Sequence, residues 1–261
     1  MSSLRVSIVQ ADLAWHDAAA NRQQFSTQLN ELAGKTDLVV LPEMFTTGFS
    51  MDAPSLAEVM DGPSVDWLRE QASRLQAAIC GSLIIKADED YVNRFLFIEP
   101  DGSLQSYDKR HLFRLAGEHQ HYAAGNERLT IDYRSFRLCP QVCYDLRFPV
   151  WSRNRGDYDL LLYVANWPSP RHFAWETLIR ARAIENLSFV AAVNRSGQDG
   201  NGHAYSGGSA VVDYLGATLA DLGDQEGVAT VTLSLDDLKK FRERFAFHLD
   251  ADSFELRDAN P

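Results

Sequence analysis

The stretch Ser135-Phe-Arg-Leu-Cys-Pro-Gln-Val-Cys-Tyr-Asp-Leu-Arg-Phe-Pro149 decides how the middle of the chain is interpreted. Residues 135–142 predict a buried β-strand that stops abruptly at a turn. Further along, residues 159–164 and 188–193 predict two more buried strands, and residues 172–186 between them predict a helix. This alternation of buried strands and helices is typical of an α/β fold in which helices cover the outside of the sheets.

The same alternation extends to both ends of the chain. Strands are predicted at 4–9, 37–41, 78–85, 91–99, 104–107, 207–213 and 227–233, and helices at 17–32, 64–75 and 235–242. Asp101-Gly102 separates two of these strands and indicates a hairpin turn. Because no Ser/Gly-rich linker divides the sequence, we expect one domain over residues 1–261, with an extended polar tail from about residue 245.

Composition narrows the class of protein. The 261 residues include 25 Lys and Arg against 36 Asp and Glu, which gives a net charge of −11. So acidic a chain repels phosphate backbones and anionic lipid, and we therefore expect neither a nucleic-acid partner nor a membrane. The three cysteines have no CxxC spacing, and the N-terminal run enters a strand without the pattern of an export signal. A cytoplasmic protein is the expectation.

Cys143 is the first candidate for catalysis. A strand that ends at a small polar residue and then turns can expose a nucleophile, and the backbone N–H of Tyr144 would point into the same space to stabilise an oxyanion. The alternative is a buried cysteine packed as a small hydrophobic residue, and the local sequence leaves both interpretations open. Cys80 and Cys139 lie inside predicted strands and are expected to be structural.

Three charged residues are further candidates. Glu43 follows an apolar strand, where a carboxylate adds little stability but can accept a proton from a thiol. A helix-capping or loop glutamate is the alternative for Glu43. Lys109 lies within Asp108–Arg110, which could equally be a solvated charge run, and Glu118 could be an exposed loop residue.

Two other kinds of site are compatible with the sequence. The spacing of Glu118, His119 and His121 suggests a metal site, but a third convincing ligand and a cysteine pair are missing, so we expect no metal. A Cys–His hydrolase is the mechanistic alternative, since seven histidines are present. None of them lies in a local sequence that resembles a papain-type or caspase-type signature.

Taken in order, three segments resemble the nitrilase, or carbon–nitrogen hydrolase, superfamily. They are Leu41-Pro-Glu-Met-Phe45, Tyr107-Asp-Lys-Arg-His-Leu-Phe113 and Cys143-Tyr-Asp-Leu-Arg-Phe-Pro149. Further similarities are Gly117-Glu118, Tyr163-Val-Ala-Asn-Trp-Pro168 and Ala181-Arg-Ala-Ile-Glu-Asn186. The resemblance covers the chain from Val6 to about Leu233 and is closest to the omega-amidase branch.

The resemblance implies a four-layer α-β-β-α sandwich that pairs into a homodimer or a higher homo-oligomer. It also implies a Glu–Lys–Cys triad, carried here by Glu43, Lys109 and Cys143, with Glu118 in a supporting role and no metal or organic cofactor. The sequence Cys143-Tyr-Asp stands where nitrile-cleaving members have Cys-Trp-Glu, which favours amides as substrates.

The expected reaction is hydrolysis of the terminal amide of a small 2-oxo dicarboxylate, such as 2-oxoglutaramate or 2-oxosuccinamate, through a cysteine thioester. The alternatives are an N-carbamoyl amine or amino-acid amidohydrolase on the same triad, and a non-catalytic oligomeric partner protein. Arg171 is the candidate for binding the far carboxylate of the substrate, and Trp167 and Tyr144 for the pocket wall. Arg171 and Arg147 could instead be structural ion-pair residues.

Overall fold

The computed structural model describes residues 2–256. Its strands are β1 (Ser3–Gln10), β2 (Leu38–Val40), β3 (Ala78–Ala87), β4 (Asp90–Ile98), β5 (Leu104–Asp108), β6 (Ile131–Tyr133), β7 (Phe136–Val142), β8 (Leu160–Ala165), β9 (Phe189–Asn194), β10 (Ser196–Gln198), β11 (Ala204–Ser206), β12 (Ala210–Val212), β13 (Thr218–Asp221) and β14 (Gly227–Ser234). Its helices are α1 (Ala18–Leu29), α2 (Ala53–Leu56), α3 (Pro63–Leu75), α4 (Pro149–Ser152), α5 (His172–Asn186) and α6 (Leu235–Arg244).

Two six-stranded sheets form the centre of the fold. The first has the strand order β14-β1-β2-β3-β4-β5, and the second has the order β13-β12-β9-β8-β7-β6. In each sheet three neighbouring strands are parallel, β1 to β3 in the first and β7 to β9 in the second, and antiparallel strands flank them on both sides. The two sheets therefore have the same arrangement.

The two sheets pack face to face with helices outside. Successive side chains of a strand point to opposite faces, so Leu4, Val6 and Ile8 of β1 share one core cluster with residues of β7 and β8. Val9 joins a second cluster with α1 and α3 on the outer face of the first sheet. Trp175, which lies on α5, packs on the second sheet. The predicted four-layer α-β-β-α sandwich is confirmed.

One tyrosine links the two sheets through buried hydrogen bonds. The Tyr133 hydroxyl, on β6 in the second sheet, donates to the backbone oxygen of Asp37 over 2.8 Å. It accepts from the backbone N–H of Ala78, on β3 in the first sheet, over 3.2 Å. A polar group between two apolar faces is tolerated because it has partners, and here they hold the sheets in register.

The structure differs from the sequence prediction mainly in short elements. The strand predicted at 207–213 is shorter, because Gly207 and Gly208 have positive φ angles of 65° and 78° and β12 begins only at Ala210. The pattern did not predict β6, β10, β11 or β13, which have three or four residues each.

The polar tail predicted from about residue 245 contains a short 3-10 helix at Phe247–Asp250, and its residues 251–256 are exposed. Its residues 257–261 lie outside the described part of the chain. Within residues 2–256, no helix is long and apolar enough to span a bilayer.

Candidate active site

Four candidate residues from distant parts of the sequence meet in the structure. Glu43 follows β2, Lys109 follows β5 and Cys143 follows β7, so each stands just beyond the end of a strand. Glu118 comes from the loop between β5 and β6. The side chains of Glu43, Lys109 and Glu118 are fully buried, and Cys143 retains 9 % exposure. The sandwich therefore brings all four together where the two sheets end.

Lys109 lies between two carboxylates. Its Nζ donates to Oε1 of Glu43 over 2.9 Å and to the two carboxylate oxygens of Glu118 over 2.9 and 3.0 Å. The backbone N–H of Phe113 also donates to Glu118 Oε2, over 2.5 Å. Because a buried charge is costly without partners, this contact set explains how Lys109 and Glu118 can be buried. The alternatives of a solvated charge run and an exposed loop glutamate are wrong.

The charges around Lys109 keep it protonated. Burial lowers the pKa of its ammonium group, but the negative charges of Glu118 and Glu43 outweigh burial, and the net shift is upward. For Glu118 the effect of burial has the opposite sign, and it raises the pKa of the carboxyl group. The positive charge of Lys109 opposes this upward shift. Lys109 is therefore suited to act as a fixed cation and not as a base.

The nucleophile candidate begins a tight turn. Cys143 has a φ angle of 46°, in the left-handed region that residues with a side chain adopt at a cost, and it opens the 3-10 helix Cys143–Arg147. The N–H groups of a helix's first turn have no partner within the helix, so the Tyr144 N–H is available to a bound oxyanion. Such a turn is the feature that the abrupt end of the strand predicted.

A buried aspartate supports this turn from behind. Asp145 Oδ2 accepts from the backbone N–H of Val142 over 2.9 Å and from the Tyr107 hydroxyl over 2.7 Å. Its Oδ1 accepts from the backbone N–H of His111 over 2.9 Å. Asp145 therefore ties the cysteine turn to the segment that carries Lys109. Sequence reasoning missed this role, although a carboxylate two residues after the candidate nucleophile was a visible signal.

The thiol of Cys143 is neutral in the resting site. Burial raises its pKa well above the ordinary value of 9.0, and the negative charge of Glu43 raises it further. Its Sγ lies 3.9 Å from the backbone oxygen of Asn166, which is its hydrogen-bond acceptor. A thiol held in this state reacts only when a nearby base takes its proton.

Two asparagines orient Glu43. The backbone N–H of Asn166 donates to Glu43 Oε2 over 2.8 Å, and Asn93 Nδ2 donates to Oε1, also over 2.8 Å. The Asn166 side chain adds a bond of 2.6 Å to the backbone oxygen of Glu43. Glu43 is therefore a precisely held acceptor and not a capping residue. Neither asparagine was predicted, although Asn93 is a polar residue inside an otherwise apolar strand.

A cavity of about 480 Å³ opens onto these groups. Cys143, Lys109, Tyr144, Trp167 and Arg171 all line it, as does Arg147, which the sequence analysis had considered only as structural. This volume suits a small organic ligand.

Both arginines at the cavity rest on aromatic rings. The guanidinium of Arg147 lies 4.8 Å from the ring centre of Trp167, and that of Arg171 lies 5.1 Å from the ring centre of Phe113. Across residues 2–256, no ion pair involves either of them. Within this part of the chain the structural ion-pair alternative has no support for either arginine, and both cations lie at the cavity wall.

The metal site is not assembled in the described chain, and within it the hydrogen-bond acceptor of the Cys143 thiol is the backbone oxygen of Asn166 and not a histidine. Glu118 is buried against Lys109, whereas His119 and His121 are exposed, so these three side chains do not converge. Within residues 2–256, no group of three metal-ligating side chains is found. His111, the histidine nearest Lys109 in sequence, has its Nδ1 hydrogen bonded to Asp145 over 2.7 Å.

Comparison with known proteins places the chain among amide-cleaving enzymes. The family described as carbon–nitrogen hydrolase matches residues 5–243. An omega-amidase, YafV, of Yersinia enterocolitica is 51 % identical over 98 % of this chain and all of its own length. A 2-oxoglutaramate amidase of Bacillus subtilis is 30 % identical over 91 % of this chain and 93 % of its own.

A solved structure shows the same fold with a modified site. It is the protein XC1258 of Xanthomonas campestris, described as a CN-hydrolase superfamily protein with an arsenic adduct in the active site. Its sequence is 55 % identical to this chain, and the TM-score between the two structures is 0.97. The match covers 98 % of this chain and 100 % of the Xanthomonas chain.

Alkylation tests the state of the thiol. We expect iodoacetamide to modify Cys143 at least about a hundredfold faster than Cys80 or Cys139, which are fully buried. Because the raised pKa keeps the Cys143 thiol protonated, its rate is expected to rise by about tenfold per pH unit through neutrality, with no plateau below pH 9. Peptide mass spectrometry of timed samples measures each rate. A plateau near neutral pH would show that the resting cysteine is already a thiolate.

Proposed function

The chain belongs to the carbon–nitrogen hydrolase family, and from that premise we propose that it hydrolyses the terminal amide of 2-oxo dicarboxylate monoamides such as 2-oxoglutaramate. It is a cysteine-dependent amidohydrolase that releases ammonia. The observation that supports this most is a cavity lined by the Cys143 thiol and the Lys109 ammonium group, with the buried carboxylate of Glu43 hydrogen bonded to that ammonium group behind the cavity wall. Relatives that match the chain over nearly its full length are named for the same class of amide.

The first half of the proposed reaction forms a thioester. Glu43 takes the proton of the Cys143 thiol as sulfur attacks the amide carbon, and the carbonyl oxygen becomes an oxyanion. The Lys109 ammonium and the Tyr144 N–H stabilise that oxyanion, and removal of one such donor raises a barrier by about 3–4 kcal/mol. Glu43 then gives the proton to the amide nitrogen, the C–N bond breaks and ammonia leaves.

The second half releases the acid. Glu43, again a carboxylate, takes a proton from a water molecule as the water oxygen attacks the thioester carbon. The new tetrahedral intermediate collapses, the C–S bond breaks, and the proton on Glu43 returns to the sulfur. One carboxylate therefore serves as base and acid in both halves, which requires it to keep a fixed position relative to Cys143.

The far carboxylate of the substrate requires a cation away from the reacting carbon. Arg171 and Arg147 both line the cavity that Cys143 also lines, and Arg171 is proposed to bind this carboxylate. Both guanidinium groups are held on aromatic rings and have no ion-pair partner among the described residues, so their charges are available to a ligand. An N-carbamoyl substrate would also release carbon dioxide, and the named relatives do not favour it.

We further propose a homodimer that works in the cytoplasm. Apolar side chains lie exposed on and beside α5, with Phe173 at 80 %, Ile184 at 50 % and Leu215 at 62 % exposure, and contiguous exposed apolar surface is typical of interfaces. Sedimentation velocity of the wild type is expected to give a dimer at micromolar concentration. Phe173→Asp with Ile184→Asp should shift it to monomer, and a monomeric wild type would refute the proposal.

Ammonia release from 2-oxoglutaramate is the main test. We expect turnover by the wild type and none by Cys143→Ala, because no thioester can form. Glu43→Gln keeps the shape of the side chain but cannot take the thiol proton, so its kcat should fall by at least about a thousandfold. Enzyme-coupled ammonia detection measures both variants, with circular dichroism to show that they fold. Near-normal turnover by Glu43→Gln would remove Glu43 as the base.

Arg171→Ala tests the recognition of the substrate carboxylate. Loss of a charge-assisted hydrogen bond costs about 1.5–3 kcal/mol, so KM for 2-oxoglutaramate should rise by about 10- to 100-fold. KM for a neutral amide of similar length should stay within about twofold. Arg69→Ala, which removes a surface arginine paired with Asp66, is the matched control and should change neither. An equal effect of Arg171→Ala on both substrates would refute the assignment.

A further inference from the structure

Asn93 and Lys109 bridge the same two carboxylate oxygens. Asn93 lies on β4 and is fully buried. Its Nδ2 lies 2.8 Å from Oε1 of Glu43 and 3.5 Å from Oε1 of Glu118. Lys109 Nζ donates to the same two oxygens, each over 2.9 Å. The ammonium group therefore links the two glutamates closely, whereas the amide holds Glu43 closely and lies at the limit of hydrogen-bonding distance from Glu118.

The lysine cannot serve every partner at once. An ammonium group has three N–H donors, and in the resting site Glu43 and Glu118 together accept from Lys109 at three oxygen positions. An oxyanion would be a fourth acceptor for these three donors, so at least one bond from Lys109 to a carboxylate is shared or lost when the oxyanion forms. The glutamate that loses it would be a buried anion with fewer hydrogen bonds, which is unfavourable.

We propose that Asn93 is a positioning residue that holds Glu43 in place while Lys109 turns toward the oxyanion. This rests on the proposed amide hydrolysis, since the oxyanion forms only in that reaction. The amide of Asn93 keeps donating to Glu43 Oε1, and the Asn166 N–H keeps donating to Oε2, so the base stays aimed at the thiol without the lysine. Asn93 is not among the described residues that line the cavity.

The backbone of Asn93 is fixed by the strands on both sides of β4. It pairs with Ile84 on β3, and its backbone oxygen accepts from the N–H of Lys109 over 3.0 Å. The same residue therefore fixes the main chain of the lysine and the carboxylate of the base. A neutral donor suits this place, because an acid would add a third negative charge beside Glu43 and Glu118, and a base would compete with Lys109.

The test uses two substitutions of similar size. Asn93→Leu removes the donor, and we expect kcat to fall by about a hundredfold while KM changes by less than about threefold. The acid limb of the kcat/KM profile should move about one unit to higher pH, because the anionic carboxylates lose a donor. The titratable groups facing Asn93 are Glu43, Glu118 and Lys109, with Cys143 and Tyr122 beyond them. Asn93→Asp should be less active than Asn93→Leu.

Asn186→Leu is the matched control. Asn186 is also buried, and its side chain donates to the backbone oxygen of Arg182 and accepts from the N–H of Asn154, each over 2.9 Å, away from the four charged or nucleophilic residues. We expect this variant to lose stability in urea unfolding while it keeps the kcat and pH profile of the wild type. The comparison separates a positioning role from a loss of folding.

A readout independent of turnover is the alkylation of Cys143. Without the Asn93 donor, Lys109 stays with the carboxylates and is less available to a thiolate, so Asn93→Leu should react with iodoacetamide at least about fivefold more slowly. If wild type released no ammonia from 2-oxoglutaramate, the substrate proposal would fail while this comparison still tested Asn93. The inference is overturned if folded Asn93→Leu keeps kcat within about threefold, the wild-type pH profile and the wild-type alkylation rate.

Discussion

One buried ammonium group between two buried carboxylates is the constraint on which the site depends. Isolated, any of the three charges would be too costly to bury, and together they are stable only at hydrogen-bonding distance. Each comes from a different segment, so the fold must deliver the end of β2, the end of β5 and the following loop to one point. The first sheet meets this requirement because two successive antiparallel pairings, β3 with β4 and β4 with β5, leave β5 running in the same direction as β2, so both strands end on the same side.

The geometry around that charge set is held by uncharged groups. Backbone N–H groups of Asn166 and Phe113 and the amide of Asn93 complete the acceptor capacity of the two glutamates. Asp145 holds the cysteine turn by accepting a hydrogen bond from the backbone N–H of Val142. This support stabilises the unfavourable φ angle of Cys143. The carboxylates and the ammonium group are densely hydrogen bonded, whereas the side-chain oxygens of Asn93 and Asn166 have no hydrogen-bond partner among the described residues. Burial and the negative charge of Glu43 raise the pKa of the Cys143 thiol and keep it neutral.

Much of the fold and of the candidate site could be predicted from the sequence, and what could not be predicted has physical reasons. The strand β3 is a long apolar run and the helix α3 has buried apolar residues at helical spacing, so the existence and type of both elements followed directly. Strands of three residues such as β6 and β10 carry too little periodicity to be recognised. Glu43, Lys109, Glu118 and Cys143 were named as a set by their motifs, and their convergence is a property of the fold. Asn93 and Asp145 escaped because their importance lies in partners that are far away in sequence.

Phe113 shows how such a site can diversify. Its contribution to the charge set is a main-chain N–H that donates to Glu118, and any residue except proline provides the same donor. Its side chain instead lies beneath Arg171 and against Tyr144 at the cavity wall. At position 113 the main-chain N–H therefore supports the catalytic residues, whereas the side chain shapes the cavity that receives the substrate. Evolution, or an engineer, can therefore change the ring at 113 to admit new acyl groups while the hydrolytic machinery stays intact.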